Sequence, residues 1–335
     1  MKAVGLHRYL PIDEPDSLIE EEIEKPVPKG RDLLVKIAAV SVNPVDTKIR
    51  SPKAEKEDEL KILGWDACGT VVQTGENCEW FQEGDEVYYA GDVNRQGSNS
   101  EYQLVDERIA AKKPESLSCA EAAAMPLTTL TAWEALFDRL RITKEDEGKT
   151  ILIIGGAGGV GSIATQLAKQ AGLTVAATAS REETKDWCFK MGADHVINHH
   201  QKLLPQLKAA GINGTEYILC LNDTDGHWEG MADVILPQGT ICSIVENQHP
   251  LDLNLLKSKS AGFVWEFMFT RAMFQTDDMI KQREILTKAA KKFDQGKLSH
   301  TLTTVLKPFS AEQLKKAHAK LESGKMIGKL VVEYS

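Results

Sequence analysis

The run Ile151-Leu152-Ile153-Ile154-Gly155-Gly156-Ala157-Gly158-Gly159-Val160-Gly161-Ser162 constrains this chain more than any other stretch. Gly156, Gly158 and Gly161 satisfy G-x-G-x-x-G, a pattern that any glycine-rich turn can match. Its context makes it specific. An apolar strand, Ile151–Ile154, stands before it, an amphipathic helix, Ser162–Gln170, after it, and a second strand, Leu173–Ala179, follows. The glycines have separate jobs: the tight turn, the close approach of backbone to a pyrophosphate, and helix–strand packing. The backbone amides of Gly156, Gly158, Gly159, Val160 and Gly161, at a helix N-terminus, suit a negatively charged pyrophosphate. The bland alternative is an ordinary strand-to-helix turn with no ligand.

Beyond the motif, strands and helices alternate. Glu182–Met191 reads as a helix capped by Gly192, and Val196-Ile197 as a strand. Glu216–Leu221 and Thr240–Val245 are further strands, separated by a helix around Trp228–Leu236. This alternation predicts an α/β domain with a parallel, doubly wound Rossmann sheet. Residues 1 to about 115 read instead as strands and turns: Asp32–Val42, Gly69-Thr70-Val71-Val72 and Glu86-Val87-Tyr88-Tyr89, punctuated by Pro26, Pro28-Lys29-Gly30, Asn43-Pro44, Gly75 and Gly84-Asp85. The charge-rich Ser51–Leu60 predicts a solvated loop or short helix. Ser118 and Glu121 form a capping box ahead of an alanine-rich helix. From about residue 267 come a long helix, Asp277–Gln295, a strand at Leu302–Leu306, a helix at Ala311–Leu321 and a last strand, Lys329–Glu333. With 335 residues, two domains are expected.

The net charge of −9 makes nucleic acid an improbable partner. No apolar run approaches the ~18 residues of a membrane span, and Met1-Lys2-Ala3-Val4-Gly5 opens without a signal sequence, so a cytoplasmic protein is expected. The six cysteines, at 68, 78, 119, 188, 220 and 242, contain no Cys-x-x-Cys pair and predict reduced thiols.

The tip of the second strand bears on the choice of coenzyme. NAD sites place Asp or Glu there for the ribose 2′-hydroxyl, whereas a nearby arginine accommodates a 2′-phosphate. Here the strand ends Thr178-Ala179-Ser180-Arg181, with Lys185 one helical turn on. Ser180, Arg181 and Lys185 form a candidate phosphate clamp, and the expected cofactor is NADPH. Two other readings stay open: Ser180 capping the Glu182 helix with Arg181 exposed, and Glu182 folding back onto a ribose.

The glycine motif, Pro126-Leu127-Thr128-Thr129-Leu130-Thr131-Ala132-Trp133, Asn43-Pro44-Val45-Asp46 and the closing Gly328-Lys329 occur in one order along the chain. Together they resemble the medium-chain dehydrogenase/reductase superfamily, in its quinone oxidoreductase branch and the subgroup called zinc-type alcohol dehydrogenase-like. The resemblance implies a GroES-like, mainly β catalytic domain over 1–125 and 267–335. It also implies a Rossmann coenzyme domain over 126–266, with the active site in the cleft. The superfamily's zinc enzymes carry a Cys where this chain has Asn43 and a Gly-His-Glu where it has Gly64-Trp65-Asp66; residues 80–118 hold no cysteine for a structural zinc lobe. Tryptophan cannot ligate zinc, so no metal is expected. Cys68, Cys78, His195, His199 and His200 read as buried thiols and as surface or cofactor-edge residues.

By the same resemblance, Thr131, opening a helix at Ala132–Phe137, lies near the nicotinamide. Asn43 lies beside the nicotinamide ribose or the acceptor oxygen, and Lys329 reaches the cofactor phosphates. Asp46 reads as structural. Relatives often carry a tyrosine between residues 50 and 60; this chain has none there, which leaves Tyr88 and Tyr89 as candidates by neighbourhood only. Without a Lewis acid, the easy acceptors are those that delocalise the developing charge. The expected function is therefore NADPH-dependent hydride transfer to a small quinone or α,β-unsaturated carbonyl. The alternatives are a zinc alcohol dehydrogenase and a catalytically silent NADPH-binding protein. Alternating Phe263, Trp265, Phe267 and Phe269 predict an edge strand burying an aromatic face in a homodimer, or equally a filled interdomain core.

Overall fold

In the computed structural model, which describes residues 1–334, the N-terminal third forms strands at β1 (Lys2–Arg8), β2 (Ile19–Glu22), β3 (Asp32–Ser41), β4 (Lys56–Ile62), β5 (Asp66–Thr74), β6 (Glu86–Tyr89), β7 (Tyr102–Asp106) and β8 (Ala110–Lys112). Three short helices interleave or follow: α1 (Pro44–Arg50), α2 (Cys119–Ala123) and α3 (Pro126–Trp133). The coenzyme-type half supplies β9 (Thr150–Ile154), α4 (Gly159–Gln170), β10 (Thr174–Thr178), α5 (Glu182–Lys190), β11 (His195–Ile197), α6 (Leu203–Ala209), β12 (Thr215–Cys220), α7 (Thr224–Val234), β13 (Ile235–Ser243) and β14 (Gly262–Trp265). The C-terminal segment adds a helix at Lys281–Asp294, β15 (Leu302–Leu306), a helix at Ala311–Glu322 and β16 (Lys329–Glu333).

The chain divides into two compact units. One comprises Met1–Leu130 with the segment from Phe269 on; the other is Thr131–Met268. In the first unit a sheet ordered β15-β16-β3-β5-β6-β8, with β7 also on β3, accompanies a smaller sheet β2-β1-β4. The long strand β3 turns Leu33, Val35, Ile37 and Ala39 inward and also buries Val40. The C-terminal β16 pairs antiparallel with it, Val332 opposite Val40, so the last strand of the chain joins the sheet of the N-terminal third. The Tyr88 hydroxyl donates to the Leu286 carbonyl at 2.6 Å, fastening β6 to the Lys281–Asp294 helix.

Two expectations are corrected in this unit. The charged stretch after Ser51 contains a strand, β4, because Leu60 and Ile62 pack against Ala3 while Lys56, Asp58 and Glu59 face water. One buried face suffices to hold it antiparallel on β1. The expectation of six reduced thiols fails at one pair: β5 and the start of α2 bring Cys68 and Cys119 to a Cα separation of 5.5 Å, joined as a disulfide. Cys78, Cys188, Cys220 and Cys242 are free.

The second unit is a six-stranded sheet in the order β11-β10-β9-β12-β13-β14, parallel at every pairing. That is the doubly wound order whose strand reversal, between β9 and β12, creates a ligand crevice at the carboxyl ends. Its core includes Leu152, Ile154, Ala176, Ile218 and Ile241 from the strands, with Leu207, Trp228 and Met231 from α6 and α7. Among the described residues no helix is long and apolar enough to cross a membrane.

Candidate functional site

The glycine turn is built by steric demand. Gly155 adopts φ +88°, a region that L side chains avoid. A Cβ on Gly161 would lie 2.4 Å from the Gly155 carbonyl oxygen, and one on Gly156 would lie 2.8 Å from the Ala177 methyl. These two glycines let α4 and β10 close on the turn. Gly158 differs: a Cβ there would meet only the Gly155 carbonyl oxygen at 3.5 Å, an ordinary van der Waals contact. It caps α4 without any side-chain bond, which leaves the first-turn amides, those of Gly159, Val160 and Gly161, available to an anion. The turn is held from below by the Gly155 amide on Thr178 Oγ1 (3.0 Å) and from the side by Trp187 Nε1 on Ser162 Oγ (2.8 Å). A dinucleotide pyrophosphate fits this cradle, with an uncrowded glycine, Gly158, at its mouth.

Ser180 and Arg181 follow β10 after Ala179, and Arg181 is the N-cap of α5. Arg181 pairs with Glu183 at 2.5 Å and Lys185 with Glu182 at 3.1 Å. Both cations stand at the strand tip, each already matched to an acid of the same helix. Glu182 is therefore turned to Lys185.

In the first unit, Asn43, Asp46, Asp66 and Lys329 are all buried and meet in one polar cluster. Asn43 caps α1, and its backbone amide donates to Asp46 Oδ2 (2.6 Å), while Gly64 N donates to Asp46 Oδ1 (3.0 Å). Asn43 Nδ2 donates to Asp66 Oδ2 at 2.8 Å and, more loosely, to the Ser41 carbonyl at 3.3 Å. Lys329 Nζ donates to Asn43 Oδ1 and to the Val42 carbonyl, and lies 3.4 Å from Asp66 Oδ2. Leu127 N, at the start of α3, donates to Asp66 Oδ1 at 2.7 Å. Burial pushes the Asp46 carboxyl up to about 7, against its two backbone donors and the nearby ammonium. Burial likewise raises Asp66 and lowers Lys329, each opposed by the charge of the other. The Lys329 ammonium thus has its contacts inside this cluster.

Thr131 lies within α3, which begins six residues before the expected Ala132, and is buried. Pro126 starts that helix, so Thr131 does not open it. Tyr88 gives its hydroxyl proton to Leu286, and the Tyr89 side chain is wholly buried. Sequence reasoning weighed Asp66 and Lys329 separately and missed their pairing. It named His199 and His200 but missed that His227, 27 residues beyond His200, joins them.

A zinc ion does not fit the donors at the corresponding positions. Trp65 spends its only polar hydrogen on the Asp92 carbonyl at 2.9 Å. Asp66 is already engaged by a backbone amide, an amide side chain and an ammonium. Asn43 offers one neutral oxygen, and that oxygen accepts from Lys329. Among the described residues no group of three His, Cys, Asp or Glu side chains could hold a metal.

Comparison with known proteins agrees with this architecture. The alcohol dehydrogenase GroES-like domain matches residues 29–115, and the zinc-binding dehydrogenase family matches residues 191–332. A zinc-type alcohol dehydrogenase-like protein of Staphylococcus epidermidis is 48% identical over 335 residues, covering 99% of each chain. A crystal structure from Rhizobium etli CFN 42, named for zinc-dependent alcohol dehydrogenases, superposes with a TM-score of 0.96 at 47% identity, covering 99% of this chain and 98% of that one. The 2-methylene-furan-3-one reductase of Solanum lycopersicum is 31% identical over 325 residues, 94% of this chain and 74% of its own. With a glycine cradle at a doubly wound sheet, a GroES-like partner unit and full-length relatives of this kind, the chain belongs to the medium-chain dehydrogenase/reductase superfamily and is an oxidoreductase.

Proposed function

We propose that this oxidoreductase uses NADPH to reduce quinones or α,β-unsaturated carbonyls and does so without a catalytic metal. The observation that carries the reading is the Asn43–Asp66–Lys329 cluster, where an ammonium and an amide stand against the carboxylate that a metal site would need. Bound NADPH would supply the hydride. The amides of Gly159, Val160 and Gly161 would hold its pyrophosphate, and Ser180, Arg181 and Lys185 its 2′-phosphate, with the Glu183 and Glu182 pairs opened in exchange.

Without a Lewis acid the chain forgoes several kcal/mol of carbonyl polarisation. Acceptors that spread charge over conjugated atoms need less of it. Lys329 donates to Asn43 Oδ1 and thereby draws electron density from the amide, making Nδ2–H a better donor. The looser of its two bonds, to the Ser41 carbonyl, is the one an acceptor oxygen could displace. By its resemblance to the family position, Thr131 would stand near the nicotinamide. The Asn43 hydrogen bond would favour an enolate or hydroquinone oxyanion over the neutral acceptor. The name of the tomato relative, a reductase of an exocyclic enone, supports the same substrate class.

The test is NADPH oxidation against quinones, enones and saturated aldehydes in metal-free buffer. Conjugated acceptors should react at least about a hundredfold faster, the cost of roughly one lost electrophilic donor. A saturated aldehyde or ethanol as best substrate sinks the proposal. A second reading, a silent NADPH-binding protein, is favoured by the internal bonding of every Asn43 polar atom; it is distinguished by tight NADPH binding with no turnover on the whole panel.

A further inference from the structure

Three imidazoles converge in the second unit at a place that the proposed reaction does not use. The His199 and His200 rings lie 4.3 Å apart between centroids, and His199 and His227 6.1 Å apart, edge to face. His199 Nδ1 is buried with no hydrogen-bond partner. The loop that carries the first two is fixed: Asn198 N donates to Gln206 Oε1 (2.8 Å), Gln206 Nε2 donates back to the Asn198 carbonyl (2.9 Å), and His200 N donates to Asn198 Oδ1 (2.9 Å). His227 sits in the first turn of α7, whose N-cap is Asp223.

The location matters. In the β10–β11 pairing Thr178 stands opposite Ile197, and the Ala179 amide donates to the Ile197 carbonyl at 2.9 Å. Ser180 and His199 are therefore each two residues beyond paired positions, leaving the same carboxyl edge of the sheet side by side. An unpartnered ring nitrogen beside the Ser180–Arg181 tip is a spare contact for an anion there.

We propose that His199, His200 and His227 form a proton-linked receptor for the phosphate monoester on the adenosine ribose, acting beside Ser180 and Arg181. This inference rests on the coenzyme reading above. The charges that act on His199 are those of His200 and His227, and those that act on His227 are Asp223 and His200. Burial first, then the neighbouring imidazoles, holds His199 below the usual histidine range; burial does the same for His227, against the pull of Asp223. Without ligand the two half-buried rings stay neutral at pH 7. A phosphate dianion reverses the sign of the local field, so the rings take up protons as it binds and become charged donors. Arg181 and Lys185 are matched to Glu183 and Glu182, and the histidines add cations only when the phosphate is present. Discrimination for the 2′-phosphate then strengthens as pH falls, down to about 6, where the phosphate itself gains a proton.

The experiment is calorimetric titration of the full chain with adenosine 2′,5′-bisphosphate and, as control, adenosine 5′-monophosphate. Measurements at about pH 8.5 and about pH 6.5, in two buffers of different ionisation heat, bracket the histidine range. The bisphosphate should tighten about tenfold at the lower pH with net proton uptake, and the monophosphate should change less than about twofold. The His199→Gln/His227→Gln double variant should keep the monophosphate affinity and lose the pH dependence; circular dichroism checks that it is folded. A bisphosphate affinity that tracks the monophosphate across pH, or a double variant that keeps the full dependence, overturns the inference and leaves the NADPH reading standing. Failure of the unsubstituted chain to bind either ligand at either pH overturns the coenzyme reading itself, and the histidine role with it.

Discussion

Replacing Lys329 by Met should destabilise the first unit by about 3–5 kcal/mol, the usual cost of stranding a buried charge by removing its partner. The ammonium lies 3.4 Å from Asp66 Oδ2 in a site with almost no solvent. At that distance the Coulomb attraction is about 5 kcal/mol for an effective dielectric of about 20. Hydrogen bonds to Val42 and Asn43 are lost as well, while the desolvation cost of the lysine is recovered, so the net falls below the sum. Asp46 is held at about 7 in the folded chain against about 3.9 for an unfolded aspartate. A carboxyl raised in this way favours folding fully below its unfolded pKa, and that contribution is lost as pH rises from about 4 through about 7. Lys329 pulls both carboxyls down. Without it both rise further, so the deficit of the variant is smallest near pH 5 and largest above about pH 8. Urea unfolding at both pH values measures this, with hydrogen exchange of peptides from β3 and β5 reporting on the first unit. At an m-value of about 2 kcal/mol/M the midpoint at pH 8 falls by about 2 M. Adding Asp66→Asn to the variant should restore at least half of the loss, since it removes one stranded charge. A loss under about 1 kcal/mol, equal at the two pH values, would refute the buried ion-pair account.

Arg181→Ala should weaken NADPH by about 1–2 kcal/mol and leave NADH unchanged; this is the low end for a charge-assisted bond, because Arg181 is partly exposed and must first leave Glu183. Equal losses for both coenzymes in a binding titration would mean that Arg181 only caps α5. We expect a homodimer through the edge strand β14, where Trp265 and the following Phe267 are 45% and 46% exposed; Trp265→Lys should shift sedimentation toward a 37.0 kDa species, and an unsubstituted chain already of that mass at micromolar concentration rejects the dimer. Thiol titration of the denatured, unreduced chain should find four groups, those of the free cysteines, and reduction should raise this to six. Six before reduction would remove the Cys68–Cys119 bond.

The parts of this molecule that a reader of the sequence can find are those whose cause is local. The strand–turn–helix around Gly155–Gly161 is legible because three glycines, an apolar strand and an amphipathic helix lie within twenty residues, and each is needed by the others. Even there α4 starts at Gly159, three residues before the expected Ser162, since glycines of low helix propensity hide the opening turn. The strand β13 runs through Pro237-Gln238-Gly239, which lie between the expected helix at Trp228–Leu236 and the expected strand at Thr240–Val245; Gln238 takes a positive φ, and the β12–β13 register shifts between Thr215 and Tyr217. The buried cluster was beyond reach for a different reason. Asn43 and Lys329 are 286 residues apart, and nothing near either one specifies the other. They meet because β16 pairs with β3, Val331 opposite Ser41, which places Lys329 below the turn that Asn43 caps. The apolar run Leu330-Val331-Val332 predicts the strand but leaves its neighbour open. A lysine at the start of such a strand reads as a surface residue, or as a phosphate ligand by resemblance, until the sheet order assigns it two buried carboxylates. The same holds for His199 and His227, which are brought together by the positions of β11 and α7 rather than by any spacing. Local periodicity therefore reaches the coenzyme cradle, which is made by one continuous segment, and stops short of charge pairs whose partners are chosen by topology.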